Sequence, residues 1–553
     1  MHCKISQVAV ASGGAHVYPI YMRHIIVLSG QIASGKSTLC SQLRHRLKAH
    51  VLSTRVLLKH VLQKNASAER SDLQSVGANL DAETKGRWVV DALREREDGF
   101  PADAVVVLDS ARTRDQIECL REAYGERVRH VHLKAAWFVR ARRYDARREM
   151  TFEDTSFDRA SEDETERAVS ELAKVADVVI ATDTLDGPGI LARAVAGLGL
   201  LPGRPKQLVD VVVGAQYGSE GKGNICAYLA GRYRVLMRVG GPNAGHMVAD
   251  PRYKYVQLPS GTQSNETAQI LVGAGATLWL PQLLKEIADC RLGPDRLSID
   301  PQSMIIEPND REIEEQGLEV IGSTKQGVGV ATARKILNRG VTPQFGAPVR
   351  LARDVAELKD FVRCTKLELE KAYAAESLIM LEGTQGTDLS LHHGPHPHVT
   401  SRDTTASGCL ADAGIAPHRV RRVIMVTRTY PIRVGGTSGP MMREIDAETI
   451  ATRSGVPLKD IRKTEVGTVS GKARRIGEFD WEQLRRAAVL NGATDIALTF
   501  ADYLDAANAT ATGFEQLSDA TKEFAGEVAL VANAPVTLIS VGFGTPIIDT
   551  GFD

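Results

Sequence analysis

The sequence has no net charge: across 553 residues, 68 Lys and Arg balance 68 Asp and Glu. That balance removes the electrostatic case for nucleic acid or an anionic membrane as partner, leaving small molecules or other subunits. No run approaches the roughly 18 apolar residues of a membrane span. Cysteine is sparse and scattered. The seven residues (Cys3, Cys40, Cys119, Cys226, Cys290, Cys364, Cys409) are odd in number and contain no CxxC pair. Neither a disulfide framework nor a zinc site is supported, and a reducing cytoplasm is the expected setting. Met1 to Tyr21 lacks a basic segment followed by a sustained apolar one, so no signal peptide is expected and 1–21 reads as an N-terminal extension.

Two glycine-rich loops follow apolar strands. Ile25 to Ser29 leads into Gly30-Gln31-Ile32-Ala33-Ser34-Gly35-Lys36-Ser37-Thr38, a GxxxxGKS phosphate loop with an amphipathic helix after it. Gly30, Ser34, Gly35, Lys36, Ser37 and Thr38 are the expected nucleotide contacts, Lys36 reaching the β and γ phosphates and Ser37 holding Mg²⁺. Ala104 to Asp109 is an apolar strand ending in the carboxylate expected to organise the same metal. The cluster Arg140, Arg142, Arg143, Arg147 and Arg148 suits either a phosphate-closing lid or a plain solvated helix. Asp109-Ser110-Ala111-Arg112 resembles the strand-end motif of nucleoside monophosphate kinases. Residues 22–185 are similar to small P-loop nucleoside or nucleotide kinases, with the acceptor left open. Gly187 to Gln207 holds one short helix pattern and then Pro202-Gly203-Arg204-Pro205, so 186–207 reads as a linker.

The second loop, Gly214-Ala215-Gln216-Tyr217-Gly218-Ser219-Glu220-Gly221-Lys222-Gly223-Asn224, sits between the apolar run Leu208–Val213 and a helix-compatible segment. Glycines let backbone N–H groups converge on an anion there, and Lys222 adds a full charge. Arg238 to His246, Ile321 to Gly329, Leu381 to Gly386, His398 to Ser401, Tyr430 to Gly435 and Gly467 to Gly477 follow in order. Together these blocks resemble the adenylosuccinate synthetase family over 208–553. The resemblance implies NTP-dependent joining of L-aspartate to C6 of a purine nucleotide, with Mg²⁺ and ATP or GTP, in a homodimer. By the same resemblance Gly218, Gly221, Lys222 and Gly223 hold the NTP phosphates, and the Gly245 carbonyl ligates the metal. His246 donates to phosphate, Gln385 faces O6, and Asn243, Thr324, Arg339 and Thr400 complete the purine nucleotide site. Lys472 and Arg474 meet the aspartate carboxylate, and Asp502 reads the NTP base.

Departures from the family pattern sharpen the expectation. Ser219 stands where the family has an Asp that takes the N1 proton and ligates metal, and a serine hydroxyl is far too weak a base for that. Phage 2-aminoadenylosuccinate synthetases, acting on dGMP, are similar in carrying a small residue at this place. The segment Leu498 to Asp502 lacks the family's Lys, which removes the expectation of strict GTP specificity and leaves ATP or GTP as donor, and Lys472 replaces an Arg. Three functions stay open: a synthetase for dGMP or GMP, one for IMP, and a purine-nucleotide sensor that binds without reacting. The expected fold is α/β, two P-loop-like domains with largely parallel sheets: a small N-terminal kinase domain and a larger synthetase domain.

Overall fold

Val209–Gly214 is apolar apart from Asp210 and buried along its whole length, the signature of a strand covered on both faces of a parallel sheet. This computed structural model describes residues 24–61, 70–101, 104–151, 156–161, 164–199, 205–317, 321–340, 343–467, 473–544 and 546–552. The expected 1–21 extension therefore lies outside the described residues. The chain divides into two units, Met1–Arg204 and Pro205–Asp553.

The N-terminal unit carries a five-stranded sheet in the order His50–Leu52, Val105–Leu108, His24–Ser29, Val128–Lys134, Val178–Ala181, every pairing parallel. The phosphate loop leaves the middle strand and enters helix Lys36–Leu47 through Gly35, whose φ of 106° suits only glycine without strain. The linker expectation needs correction at its first half. Helix Gly187–Gly197 starts on an Asp186 cap with Pro in the first turn and buries Ile190, Leu191, Ala194 and Val195 against Leu39 and Leu43. Its Gly-Pro-Gly opening resembles a connector, but those four apolar residues complete the core of the first unit.

The larger unit is built on nine strands. Their order is Leu297–Ile299, Gln269–Val272, Val235–Arg238, Ile379–Glu382, Val209–Gly214, Val420–Arg428, Asp495–Thr499, Val536–Ser540 and Ile547–Asp549. All pairings are parallel except the last. Parallel strands bring their carboxyl ends to one edge, where ligands of open α/β sheets bind. The second glycine loop, Glu382 and the segment after Thr499 all leave the sheet at that edge. No described helix is long and apolar enough to cross a membrane.

Candidate active site

In the larger unit the phosphate loop follows Gly214 and opens helix Lys222–Leu229 through Gly221 at φ 97°. Gly218 is also left-handed at 91°, as is Ser219 at 56°. A left-handed non-glycine residue costs of order 1 kcal/mol and persists where surroundings dictate it. The dictating group is Glu220, which the sequence reading passed over. Its buried carboxylate accepts from the amides of Gln216 (3.1 Å) and Gly218 (2.8 Å) and from the Lys222 ammonium at 2.5 Å. Lys222 also donates to the Gln385 carbonyl at 2.5 Å, and the Gln385 amide donates to Thr400 Oγ1 at 2.7 Å. Three expected site residues thus come together across the phosphate loop.

The strand His246–Ala249 lies against the start of the loop helix. A Cβ on Gly223 would meet the Met247 carbonyl at 3.0 Å and His246 Cβ at 3.1 Å. His246 Nδ1 is paired with Glu382, a residue at the end of strand Ile379–Glu382. Glu382 also takes the Ser260 amide (2.7 Å) and hydroxyl (2.5 Å) and lies 3.4 Å from Arg238. Burial alone would raise the Glu382 carboxyl, but Arg238, His246 and Ser260 outweigh it and hold it at about 2. Burial, then Arg238, pushes His246 down to about 4. The pair is therefore a neutral imidazole oriented by a charged carboxylate. A strand ending in an acid was the signal that identified Asp109, and the same signal marks Glu382.

On the other side of the loop, Arg474 Nη2 approaches Ser219 Oγ at 3.4 Å, and Nη1 lies 3.4 Å from Glu465. Glu465 is shared with Arg428 at 2.5 Å and with the Tyr503 hydroxyl at 2.9 Å. Arg428 lies over the Phe500 ring at 4.0 Å. Its backbone exchanges two hydrogen bonds with the Gln216 side chain. Asp502 follows in this segment. Burial raises its carboxyl to about 7, and its buried Oδ1 has no hydrogen-bond partner among the described residues. Asn243 Oδ1 and Ser401 Oγ are also buried without a partner there. Each such atom needs a water, an ion or a ligand to complete its hydrogen bonding.

Other expectations are not brought to this cluster. Thr324 sits in a local turn in which its carbonyl accepts from Gln326 at 2.8 Å. Arg339, beyond the end of helix Val328–Leu337, is exposed and donates to the Ile336 carbonyl. Its neighbour Asn338 organises the following loop through the Phe345 and Ala347 carbonyls. Lys472 lies outside the described residues.

In the first unit Lys36 donates to the Gly30 and Gln31 carbonyls, and burial, then Arg112, lowers it to about 8. Thr182 donates to the Ser34 carbonyl at 2.8 Å, Arg143 holds Thr182 at 3.0 Å, and Asp109 Oδ1 accepts the Thr54 amide at 3.0 Å. Glu166, unmarked by any motif, accepts the Ile32 amide at 2.7 Å and pairs with Arg112 at 2.7 Å. Arg140 is a structural member of the arginine cluster: it donates to the Ala135 carbonyl and packs over Phe157. Arg143 and Arg147 line a cavity of about 880 Å³ together with Ser34, Gly35 and Lys36.

Known proteins align with both units. Residues 211–344 and 349–510 match the adenylosuccinate synthetase family, and 25–172 match an AAA domain family. The adenylosuccinate synthetase of Methanocaldococcus jannaschii is 39% identical over 344 residues, 60% of this chain and 93% of that protein. The Pyrococcus sp. (strain ST700) enzyme is 38% identical over the same length and covers 60% of this chain, which covers 95% of it. Among solved structures, the succinoaminodeoxyadenylate synthetase of cyanophage S-2L, bound to dGMP and dATP, is 28% identical with a TM-score of 0.51. It covers 62% of this chain, which covers 96% of it. The fully ligated Plasmodium falciparum adenylosuccinate synthetase, 21% identical, shares the fold at a TM-score of 0.54, covering 62% of this chain and itself covered over 100%. A ligase unit with this loop, this His–Glu pair and these matches, joined to a P-loop kinase-like unit, places the chain in the adenylosuccinate synthetase family.

Proposed function

We propose that the larger unit ligates L-aspartate to C6 of a guanine nucleotide, dGMP or GMP, giving a 2-aminoadenylosuccinate, and that the N-terminal unit is a nucleoside or nucleotide kinase. The observation that carries the first part is Ser219. At the loop position beside Arg474 the chain offers a small neutral side chain, which leaves room for a 2-amino group next to N1. The cyanophage protein, solved with dGMP, supports the same substrate, and its dATP supports an adenine nucleotide as donor.

Chemically, O6 of the purine becomes a leaving group by taking the γ-phosphoryl of the NTP, and the aspartate amine then displaces phosphate. Lys222 and the Gly221 and Gly223 amides neutralise the phosphoryl group in transfer. His246 presents Nε2, the nitrogen that Glu382 leaves free, to the phosphoryl group and donates from it once the phosphate charge has drawn a second proton onto the ring. Gln385 positions O6, and Asn243 and Thr400, with Thr324 and Arg339 from outside the loop cluster, hold the monophosphate nucleotide. Arg474, with Lys472, binds the aspartate carboxylate as a planar fork. The N1 proton passes to water or to the substrate's own carboxylate.

Magnesium fits here as an ion carried mainly by phosphate. The Gly245 carbonyl and Ser219 hydroxyl are neutral donors, while Glu220 is committed to Lys222 and the loop amides. In the kinase unit Ser37 and Asp109 are the donors. Bound there, the ion screens phosphate charge. The working form is a cytoplasmic homodimer.

The test supplies purified protein with aspartate, Mg²⁺ and ATP or GTP, and offers IMP, dIMP, GMP and dGMP separately, with products identified by mass. A succinylated guanine-derived nucleotide is the expected product. Adenylosuccinate from IMP alone points to the second reading, which the archaeal relatives favour. Binding with no product from any of the four points to a sensor.

A further inference from the structure

The kinase-like unit has a roomy site at its phosphate loop. Its cavity of about 880 Å³ is near the upper end of single small-ligand sites. The lining takes in the phosphate loop, with Arg143 tied to it through Thr182, and a second group in which Leu58 lies against Gly77 while Trp88 and Gln116 are joined through Asp81. A kinase donor bound on the loop presents its transferable phosphate to the rest of this lining, where the acceptor must sit.

Charge says what that molecule is. Among the described residues, five cations line the cavity (Lys36, Arg55, Arg112, Arg143, Arg147) against two carboxylates, Asp81 and Glu166. Lys36 belongs to the phosphate loop and Arg143 reaches it through Thr182. Arg112 stands between the loop, through Glu166 and Ile32, and Gln116, and Arg55 shares its helix with Leu58, so these two are the cations placed for the acceptor. Both carboxylates are engaged. Glu166 is bound to the Ile32 amide and Arg112. Asp81 accepts from Trp88 Nε1 at 2.7 Å and from Gln116 Nε2 at 2.9 and 3.0 Å. Asp109 is tied to Thr54 and is absent from the lining. A hydroxyl acceptor needs a base to take its proton, and no uncommitted carboxylate lines this cavity. A phosphomonoester is already ionised and needs only cations.

In the second group, the Gln116 carbonyl is fixed by the Arg112 amide at 2.9 Å, which turns its NH₂ toward Asp81. Trp88 and Leu58 supply an apolar wall beside this polar pair, the combination that suits a planar heterocycle with edge hydrogen bonds. Building on the kinase reading above, we infer that the acceptor is a nucleoside 5′-monophosphate, its phosphate met by Arg55 and Arg112 and its base by the Gln116–Asp81 pair. An acceptor phosphate oxygen forms the new bond to the γ-phosphorus. The bond from that phosphorus to the β–γ bridging oxygen breaks, and two nucleoside diphosphates leave with no proton transferred.

The experiment uses the full chain with Mg²⁺ and γ-labelled ATP, without aspartate, against two panels: ribo- and deoxynucleosides with simple sugars, and the 5′-monophosphates of A, G, C, U and T. Label is expected in a diphosphate that co-elutes with the authentic compound, a check that separates it from an isobaric O6-phosphoryl nucleotide. Lys36→Ala should abolish it. Arg55→Gln, at an exposed position, should raise KM for the monophosphate about tenfold and leave KM for ATP within twofold, about 1.4 kcal/mol of acceptor binding. Label on a nucleoside or sugar hydroxyl overturns the inference and keeps the kinase reading. No transfer to any acceptor overturns both.

Discussion

Nη2 of Arg474 lies 3.4 Å from Oγ of Ser219, joining the expected aspartate-binding arginine to the loop residue at which this chain departs from its family. Arg474 is itself anchored on Glu465, so the hydroxyl faces a fixed cation.

A carboxylate restored at this place should change the substrate. Ser219 has a φ of 56°, a conformation that Asp tolerates, so Ser219→Asp should fold. It should lower kcat/KM for dGMP at least about tenfold by crowding the 2-amino group, and raise turnover of IMP by supplying a base for N1. Steady-state kinetics on both substrates decide this. Unchanged dGMP turnover together with no gain on IMP counts against the role given to Ser219.

The Glu382 carboxylate fixes His246 from inside the protein. Glu382→Gln keeps the shape but removes a charge that Arg238 and His246 share. Breaking a buried ion pair on one side costs about 3–5 kcal/mol, so a lower urea midpoint is expected. His246→Asn separates catalysis from stability: removing one preorganised donor should cost about 10²–10³ in kcat, with KM for the monophosphate nearly unchanged. A kcat within twofold of the parent would show that His246 is structural.

Three buried histidines predict how stability responds to acid. His246, His130 and His132 are all held at about 4, chiefly by burial; the last two flank Ser29 Oγ at 2.6 and 2.8 Å. Their folded pKa values lie below the unfolded value, so between about pH 6.5 and 4 the unfolded chain binds protons that the folded one does not. Stability should be fully present above pH 6.5 and fall as pH drops through that window, by up to roughly 3 kcal/mol per histidine. Urea titrations at pH 7.5, 5.5 and 4.5 measure it, and His130→Gln should flatten the pH dependence of the first unit.

The two phosphate loops, the sheet class and the family were legible in the sequence because each is written in adjacent residues: glycines at fixed spacing, a lysine, and an apolar strand ahead of them. What stayed hidden acts at a distance. Glu382 meets His246 across 136 positions, and Glu166 reaches Ile32 across 134; no local pattern announces which acid folds back on which loop. Glu220 escaped for another reason, since a glutamate beside a phosphate lysine looks electrostatically wrong until its contacts with the Gln216 and Gly218 amides are seen. The short helix at Gly187–Gly197 was expected, but its place in the first unit was not, because the Gly-Pro-Gly opening gives no sign that Ile190, Leu191, Ala194 and Val195 pack on Leu39 and Leu43.

Asp502 offers a test of the donor site that leaves the acceptor untouched. Burial holds its carboxyl at about 7, well above the ordinary value, and its buried Oδ1 is without a hydrogen-bond partner among the described residues. A group raised in this way stabilises the fold only below its unfolded pKa, and that contribution is lost as pH rises through about 7, so the residue is kept at a cost in stability above neutrality. Asp502→Asn removes the titration while keeping the shape, and should make the larger unit more resistant to urea at pH 8. If Asp502 reads the base of the nucleoside triphosphate, the same change should raise KM for the donor about tenfold and leave KM for the purine monophosphate within twofold. Measuring both constants at pH 6 and 8 separates the two roles: a stability gain with no change in donor KM makes Asp502 a structural residue, and a matched rise in both KM values places it at the purine monophosphate.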